Sequence, residues 1–205
     1  MYKKLLTKKF FRDNPYLENS VQRFIYSVLL YEGLEDAASE IMMKQRLLSD
    51  ERLEQITQEK ELIQAEQNPE MIFQLLRKNT DAVNRGVLIK KVLEFEEVLL
   101  PKVMEKLIRS YHDIFIENSI HLLARSHKDY TPLLKEKYAE IRNPYVQSLV
   151  CLIIGLRGEE DAIPWILDRF FELKNLYPGE TYDQGPLLAL HELNCRFYKN
   201  DNTCQ

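Results

Sequence analysis

The sequence predicts an all-α protein, an α-α superhelix of about five antiparallel helix pairs closed by a C-terminal helix. Three observations carry that expectation. Glycine and proline are scarce, six and eight in 205 residues, and no run of alternating β-branched residues offers a strand. Residues 143–174, NPYVQSLVCLIIGLRGEEDAIPWILDRFFELK, read as two helices joined by a tight polar turn. Four prolines, Pro69, Pro101, Pro132 and Pro164, stand 32, 31 and 32 residues apart, each followed by a similar amphipathic stretch (PEMIFQLLRK, PKVMEKLIRS, PLLKEKYAEI, PWILDRFFEL). One helix pair per period cannot bury its own apolar face, so the pairs must stack.

The clearest unit justifies itself residue by residue. Asn143 can cap a helix and Pro144 suits its first position. Tyr145 to Leu156 is almost wholly apolar, as a helix buried on most sides requires. Gly158 should end that helix with a positive φ. Asp161 should cap the next, with Pro164 in its first turn, where the missing N–H costs nothing. In that second helix Ile163, Ile166, Leu167, Phe170, Phe171 and Lys174 fall on one side. Trp165, Asp168, Arg169 and Glu172 fall on the other.

Taken in order, the chain begins with a basic arm, residues 1–15, in which Lys3, Lys4, Lys8, Lys9 and Arg12 alternate with Leu5, Leu6, Phe10 and Phe11. Its functional reading is a membrane-surface or partner-binding arm. Its plainer reading, which we adopt, is a loose terminus whose aromatic residues pack on the first helix pair. Residues 16–199 read as one domain. Helices are expected over Tyr16–Tyr31 and Leu34–Leu48, then from a Ser49-Asp50 cap to Gln67. From Glu32 to Glu66 ten acidic residues face four basic ones, the mark of a solvated acidic face. Asn68-Pro69 starts a short helix, Thr80-Asp81 caps the next, and another lies around Pro101, where Glu97 is a poor cap. Helices follow over Tyr111–Ser126 and from an Asp129 cap over Tyr130–Ile141. The stretch 175–184 is irregular, Pro186 opens the last helix, and the polar tail 200–205 is expected to be disordered.

The whole-chain charge of −4 argues against a non-specific nucleic-acid binder. No apolar stretch is long enough to span a bilayer, and the start lacks the apolar core of a signal peptide. Cys151, Cys195 and Cys204 are too few and too scattered for a disulfide framework, which points to a reducing, cytoplasmic setting.

GLRGEEDAIPWILDRFFEL resembles the turn and second helix of a HEAT-like repeat of bacterial type, with Ala162-Ile163-Pro164 matching the start of that helix. The resemblance is good over 143–174, fair over 81–141 and weak before residue 80. It implies a scaffold whose second helices line a concave, partner-binding surface. On that surface Trp165, Asp168 and Arg169, together with Lys102, Lys106 and Arg109, are the expected contacts with another protein. Some DNA glycosylases that remove alkylated purines are also built of HEAT-like repeats and use Trp and Asp on a concave basic face. Trp165 and Asp168 suggest that alternative, and the acidic balance opposes it.

Catalytic chemistry finds no clear home. His191 and Cys195 share a helical face, four residues apart, but no third ligand stands nearby, so no metal is expected. Glu117 and His121 have the spacing of a surface pair. Neither a glycine-rich phosphate loop nor a nucleophile elbow is present, and no cofactor is expected.

Overall fold

The computed structural model describes residues 2–16 and 48–198, and among these every regular element is a helix. The expected helices over 16–31 and 34–48, apart from their end residues, and the tail 200–205 lie outside the described residues. The chain divides into two compact units, Met1–Ser27 with Lys128–Gln205, and Val28–His127. The sequence predicts one domain over 16–199 with a separate arm. In the structure the arm groups with the C-terminal helices.

The unit of residues 28–127 contains α2 (Asp50–Ala65), α3 (Pro69–Leu75), α4 (Ala82–Leu93), α5 (Glu96–Leu107) and α6 (Asp113–Arg125). Three short polar side chains act as the sequence suggests: Ser49 accepts from the Arg52 N–H, Asn68 from Glu70 and Asp81 from Val83. His112 caps α6 through Nδ1, which accepts from the Phe115 N–H at 3.2 Å. Pro101 departs from the expected pattern. It lies inside α5, which begins five residues earlier at Glu96 after Phe95, a residue that offers no capping side chain. Glu96 and Glu97 supply first-turn negative charge there instead.

Two buried amides tie this unit together. Asn84, fully buried, donates from Nδ2 to the Ile56 carbonyl and to Glu59, both at 2.8 Å. Asn118 donates to the Leu76 carbonyl at 3.0 Å, which satisfies an end of α3.

The other unit contains α1 (Lys8–Asp13), α7 (Thr131–Lys137), α8 (Pro144–Arg157), α9 (Ala162–Leu176) and α10 (Gln184–Tyr198). The arm here is docked. Leu6 is 1% and Phe11 7% exposed, Phe10 meets Phe170 and Phe171 edge-on, and Phe11 lies against His191. Its aromatic residues thus pack on α9 and α10. The buried stripe of α9 is Ile163, Ile166, Phe170 and Leu173, rotated from the expected one. Phe171 is 45% exposed and Lys174 is exposed.

α8 and α10 approach closely because both carry small residues where they cross. A Cβ placed on Gly155 would lie 2.3 Å from the Ala189 Cβ and 2.7 Å from its Cα. A Cβ on Gly185 would lie 2.2 Å from the Ser148 carbonyl oxygen, and the Gly185 N–H donates to Ser148 Oγ. Ser148 thus meets Gly185 and Gly155 meets Ala189, so the two helices run in the same sense. Gly158 ends α8, but at φ −80°, not the positive φ expected. Its requirement is space: a Cβ there would lie 2.4 Å from the Ile154 carbonyl oxygen. Asp161 stands at the N-cap of α9 in helical backbone (φ −69°, ψ −13°), without the expected side-chain bond.

Substitution at Gly155 separates two opposed effects. Helix propensity alone favours alanine by about 1 kcal/mol. Overpacking against a backbone atom costs about 1–3 kcal/mol. Gly155→Ala is therefore expected to lower the melting temperature by several degrees in a calorimetric or circular-dichroism melt. An unchanged or higher value would show that the crossing is not tightly packed.

Candidate functional site

The six residues expected at a partner surface separate into two groups, one in each unit. Lys102, Lys106 and Arg109 belong to residues 28–127, and Trp165, Asp168 and Arg169 to α9.

The first group converges. Lys102, Glu105 and Lys106 project from α5, and Arg109 follows in the turn beyond it. With Phe73 of α3 they line an open groove of about 400 Å³. The register explains this. Val98, Lys102, Glu105, Lys106 and Arg109 fall within one narrow arc of the helix and are all exposed. The opposite face, Leu99, Leu100, Val103, Met104 and Leu107, is core.

Phe73 supplies the apolar wall. Half-buried, it meets Phe115 of α6 edge-on at 5.9 Å, so its ring is fixed from behind. Lys102 reaches across to Glu70 of α3. Lys106 and Arg109 make no ion pair among the described residues. The groove therefore presents a fixed aromatic ring, two uncompensated cations and one carboxylate, Glu105. Phe73 was missed in the sequence because it comes from a different repeat position on a different helix.

The second group is engaged within its own unit. Trp165 is half-buried, and Tyr138 meets it edge-on at 5.0 Å. The Arg169 guanidinium lies 5.6 Å over the Trp165 ring and 5.5 Å over that of Tyr138, and it reaches Glu172 at 3.0 Å. Beneath, the Cys151 thiol lies 3.8 Å from the Tyr138 hydroxyl, to which it donates. Burial pushes the Cys151 pKa up to about 12 and Tyr138 higher still, so neither is reactive near neutrality. Asp168 is exposed on the solvent side.

The remaining candidates are also accounted for. The His191 ring lies 4.0 Å from that of Phe11, and burial lowers its pKa. Cys195 is disulfide-bonded, which corrects the expectation of reduced thiols at that position and removes it from any metal set with His191. His121 is not a surface residue. It is 1% exposed, and its Nδ1 lies 2.9 Å from Arg125, which donates to it. Glu117 instead reaches Arg85 at 3.8 Å. Burial, then Arg125 and Arg85, lower the His121 pKa to about 3. No helix among the described residues is long and apolar enough to cross a membrane.

Comparison with family models, curated proteins and solved structures returns no match. The function must be read from the geometry.

Two outcomes follow from these environments. Trp165→Ala removes a half-buried ring and the Arg169 and Tyr138 contacts, for an expected loss of about 2 kcal/mol, read as a lower midpoint in urea. His121 is neutral when folded and binds a proton near pH 6.5 when unfolded. Its folded pKa is lowered, so the unfolded state binds more protons between about pH 3 and 6.5, and stability falls as pH falls through that window. His121→Gln should flatten the decline in melting temperature between pH 7 and pH 4. An equal slope in both proteins would assign the pH dependence to other groups.

Proposed function

We propose that the chain is a non-catalytic protein-interaction module built from HEAT-like helical repeats, and that the α3–α5 groove receives an acidic segment of a partner protein. One observation carries the reading: Lys106 and Arg109 stand exposed and unpaired beside the fixed ring of Phe73. Unpaired cations around an aromatic anchor suit a segment that carries carboxylates next to an apolar side chain. The groove is open and shallow, as a docking surface for a chain requires.

The repeat reading has its own support. Among the described residues, and apart from the arm, the main helix contacts within each unit join elements adjacent in sequence or one apart, such as α8 with α9 and α10, or α4 with α5 and α6. Quasi-one-dimensional contact of this kind is what stacked repeats produce. α8 and α10 run in the same sense with α9 between them in the chain, as the first helices of consecutive pairs do. The groups whose acidity is most displaced, His121, Tyr138 and Cys151, are core groups shifted chiefly by burial. None lines the groove, so their displacement does not mark a reactive centre there.

The test is affinity capture from the native host with the full chain, comparing wild type with Lys106→Glu/Arg109→Glu. Both side chains are exposed, so the fold should be unaffected. The expected result is a partner recovered by wild type, weakened at high salt and lost with the double variant, while Trp165→Ala retains it. Recovery of the same proteins in equal amounts by wild type and double variant would overturn the groove as the contact surface.

A further inference from the structure

We propose that the docked N-terminal arm, with Phe171 of α9 beside it, is a contact for the anionic surface of a lipid bilayer. The inference is independent of the α3–α5 groove, which belongs to the other unit.

The arm concentrates charge. Residues 1–12 contain five cations, Lys3, Lys4, Lys8, Lys9 and Arg12, and no anion. The chain sums to −4, so everything beyond residue 12 sums to −9. The positive charge is thus segregated rather than part of a general balance. It is also held in place. Leu6 and Phe11 are buried, Phe10 packs on Phe170 and Phe171, and Thr7 caps α1 by accepting from the Phe10 N–H. The Asn14 side chain accepts from Lys174 at 2.6 Å, which fastens the far end of the arm to α9. Burying Phe11 and Phe10 turns Lys8, Lys9 and Arg12 outward.

Little of this charge is spent within the protein. Arg12 pairs with the adjacent Asp13, and Lys3 lies over the Tyr198 ring. Lys4, Lys8 and Lys9 make no ion pair among the described residues. Leu5 is 40% and Phe171 45% exposed, and the Phe171 ring lies 6.4 Å from that of Phe10. On α9, Asp168 stands one turn before Phe171 and Lys174 one turn after, so the immediate neighbourhood of that ring carries both signs.

Cations interspersed with exposed hydrocarbon choose between polyanions. A phosphodiester backbone satisfies lysines but offers no apolar phase to an aliphatic side chain such as Leu5. The headgroup boundary of a bilayer satisfies both. No part of the arm needs to span the membrane.

The experiment is flotation of the full-length protein with vesicles of phosphatidylcholine alone or of phosphatidylcholine with phosphatidylglycerol. Wild type should float with the anionic vesicles only, and the bound fraction should fall as salt rises. Lys4→Glu/Lys8→Glu/Lys9→Glu should lower the partition coefficient by roughly a hundredfold, from the worth of three cations near an anionic surface. Leu5→Ser/Phe171→Ser should lower it more modestly. Lys106→Glu/Arg109→Glu should leave it unchanged. Equal flotation with neutral and anionic vesicles, or none with either, would overturn the proposal. So would salt-sensitive binding to duplex DNA or RNA without flotation, which would name nucleic acid as the polyanion. The salt titration of wild type needs no variant, so a failure of the triple variant to fold would not leave the question open.

Discussion

The close crossing of α8 and α10 is the constraint on which the C-terminal unit depends. Gly155 against Ala189 and Gly185 against Ser148 bring two backbones to a separation that side chains elsewhere would forbid. That approach lets Val146, Leu149, Val150, Leu152, Ile153 and Ile154 all be buried from the same helix. A helix with apolar residues on nearly every side needs neighbours on nearly every side, and α7, α9 and α10 supply them. The crossing also fixes where α10 ends relative to α8. There Arg196 donates to the carbonyls of Gly155, Leu156 and Gly158, acceptors that the end of α8 leaves without intrahelical partners. A cation at a helix C-terminus also opposes the helix dipole. One pair of glycines therefore determines packing, and packing places the side chain that closes the helix end.

In the unit of residues 28–127, buried amides fix the packing of the described helices. Asn84 and Asn118 are buried and donate to carbonyls of other elements, the first also to Glu59. A buried amide with strong acceptors fixes one relative position of two helices, because sliding either leaves polar atoms unsatisfied. The Asn84 Oδ1 has no partner among the described residues, so this position is held by the donor side of the amide alone. The fixed frame matters for the groove. Phe73 and Lys102 come from different helices, and only a rigid relation between α3 and α5 keeps ring and cations together.

Much of this was legible in the sequence where the cause is local. Ser49, Asn68, Asp81 and Asn143 were readable as caps because a short acceptor in extended backbone reaches the first free N–H groups without help from elsewhere. Asp161 shows the limit: its helical backbone turns the side chain away from those groups. Gly158 was placed at the right residue for the wrong reason, since crowding by the Ile154 carbonyl is invisible until the turn is built. The α9 stripe was misread because hydrophobicity alone put Phe171 inward. Leu173 takes that place, and Phe171 is left beside the arm. Lys102, Lys106 and Arg109 could be grouped because they share one helical register, while Phe73 could not, being brought to them by tertiary packing. His112 as a cap and Arg196 as a clasp escaped for a related reason. Neither residue type signals such a role by itself, and the carbonyls that Arg196 serves lie about forty residues away.

Net charge is the weakest of the sequence arguments, and the structure shows why. A total of −4 averages over a chain whose first twelve residues sum to +5 and whose remainder sums to −9. Screening at physiological salt confines an exposed charge to roughly 8 Å, so a partner feels the patch it touches rather than the sum. Acidic helices such as α2, with Asp50, Glu51, Glu54, Glu59 and Glu61, contribute to the total. The exclusion that bulk charge supports is therefore narrow: it opposes a protein coated in phosphate-binding cations. It leaves intact the case for contacts in which a few unpaired lysines, arginines and exposed apolar side chains occupy one fixed surface.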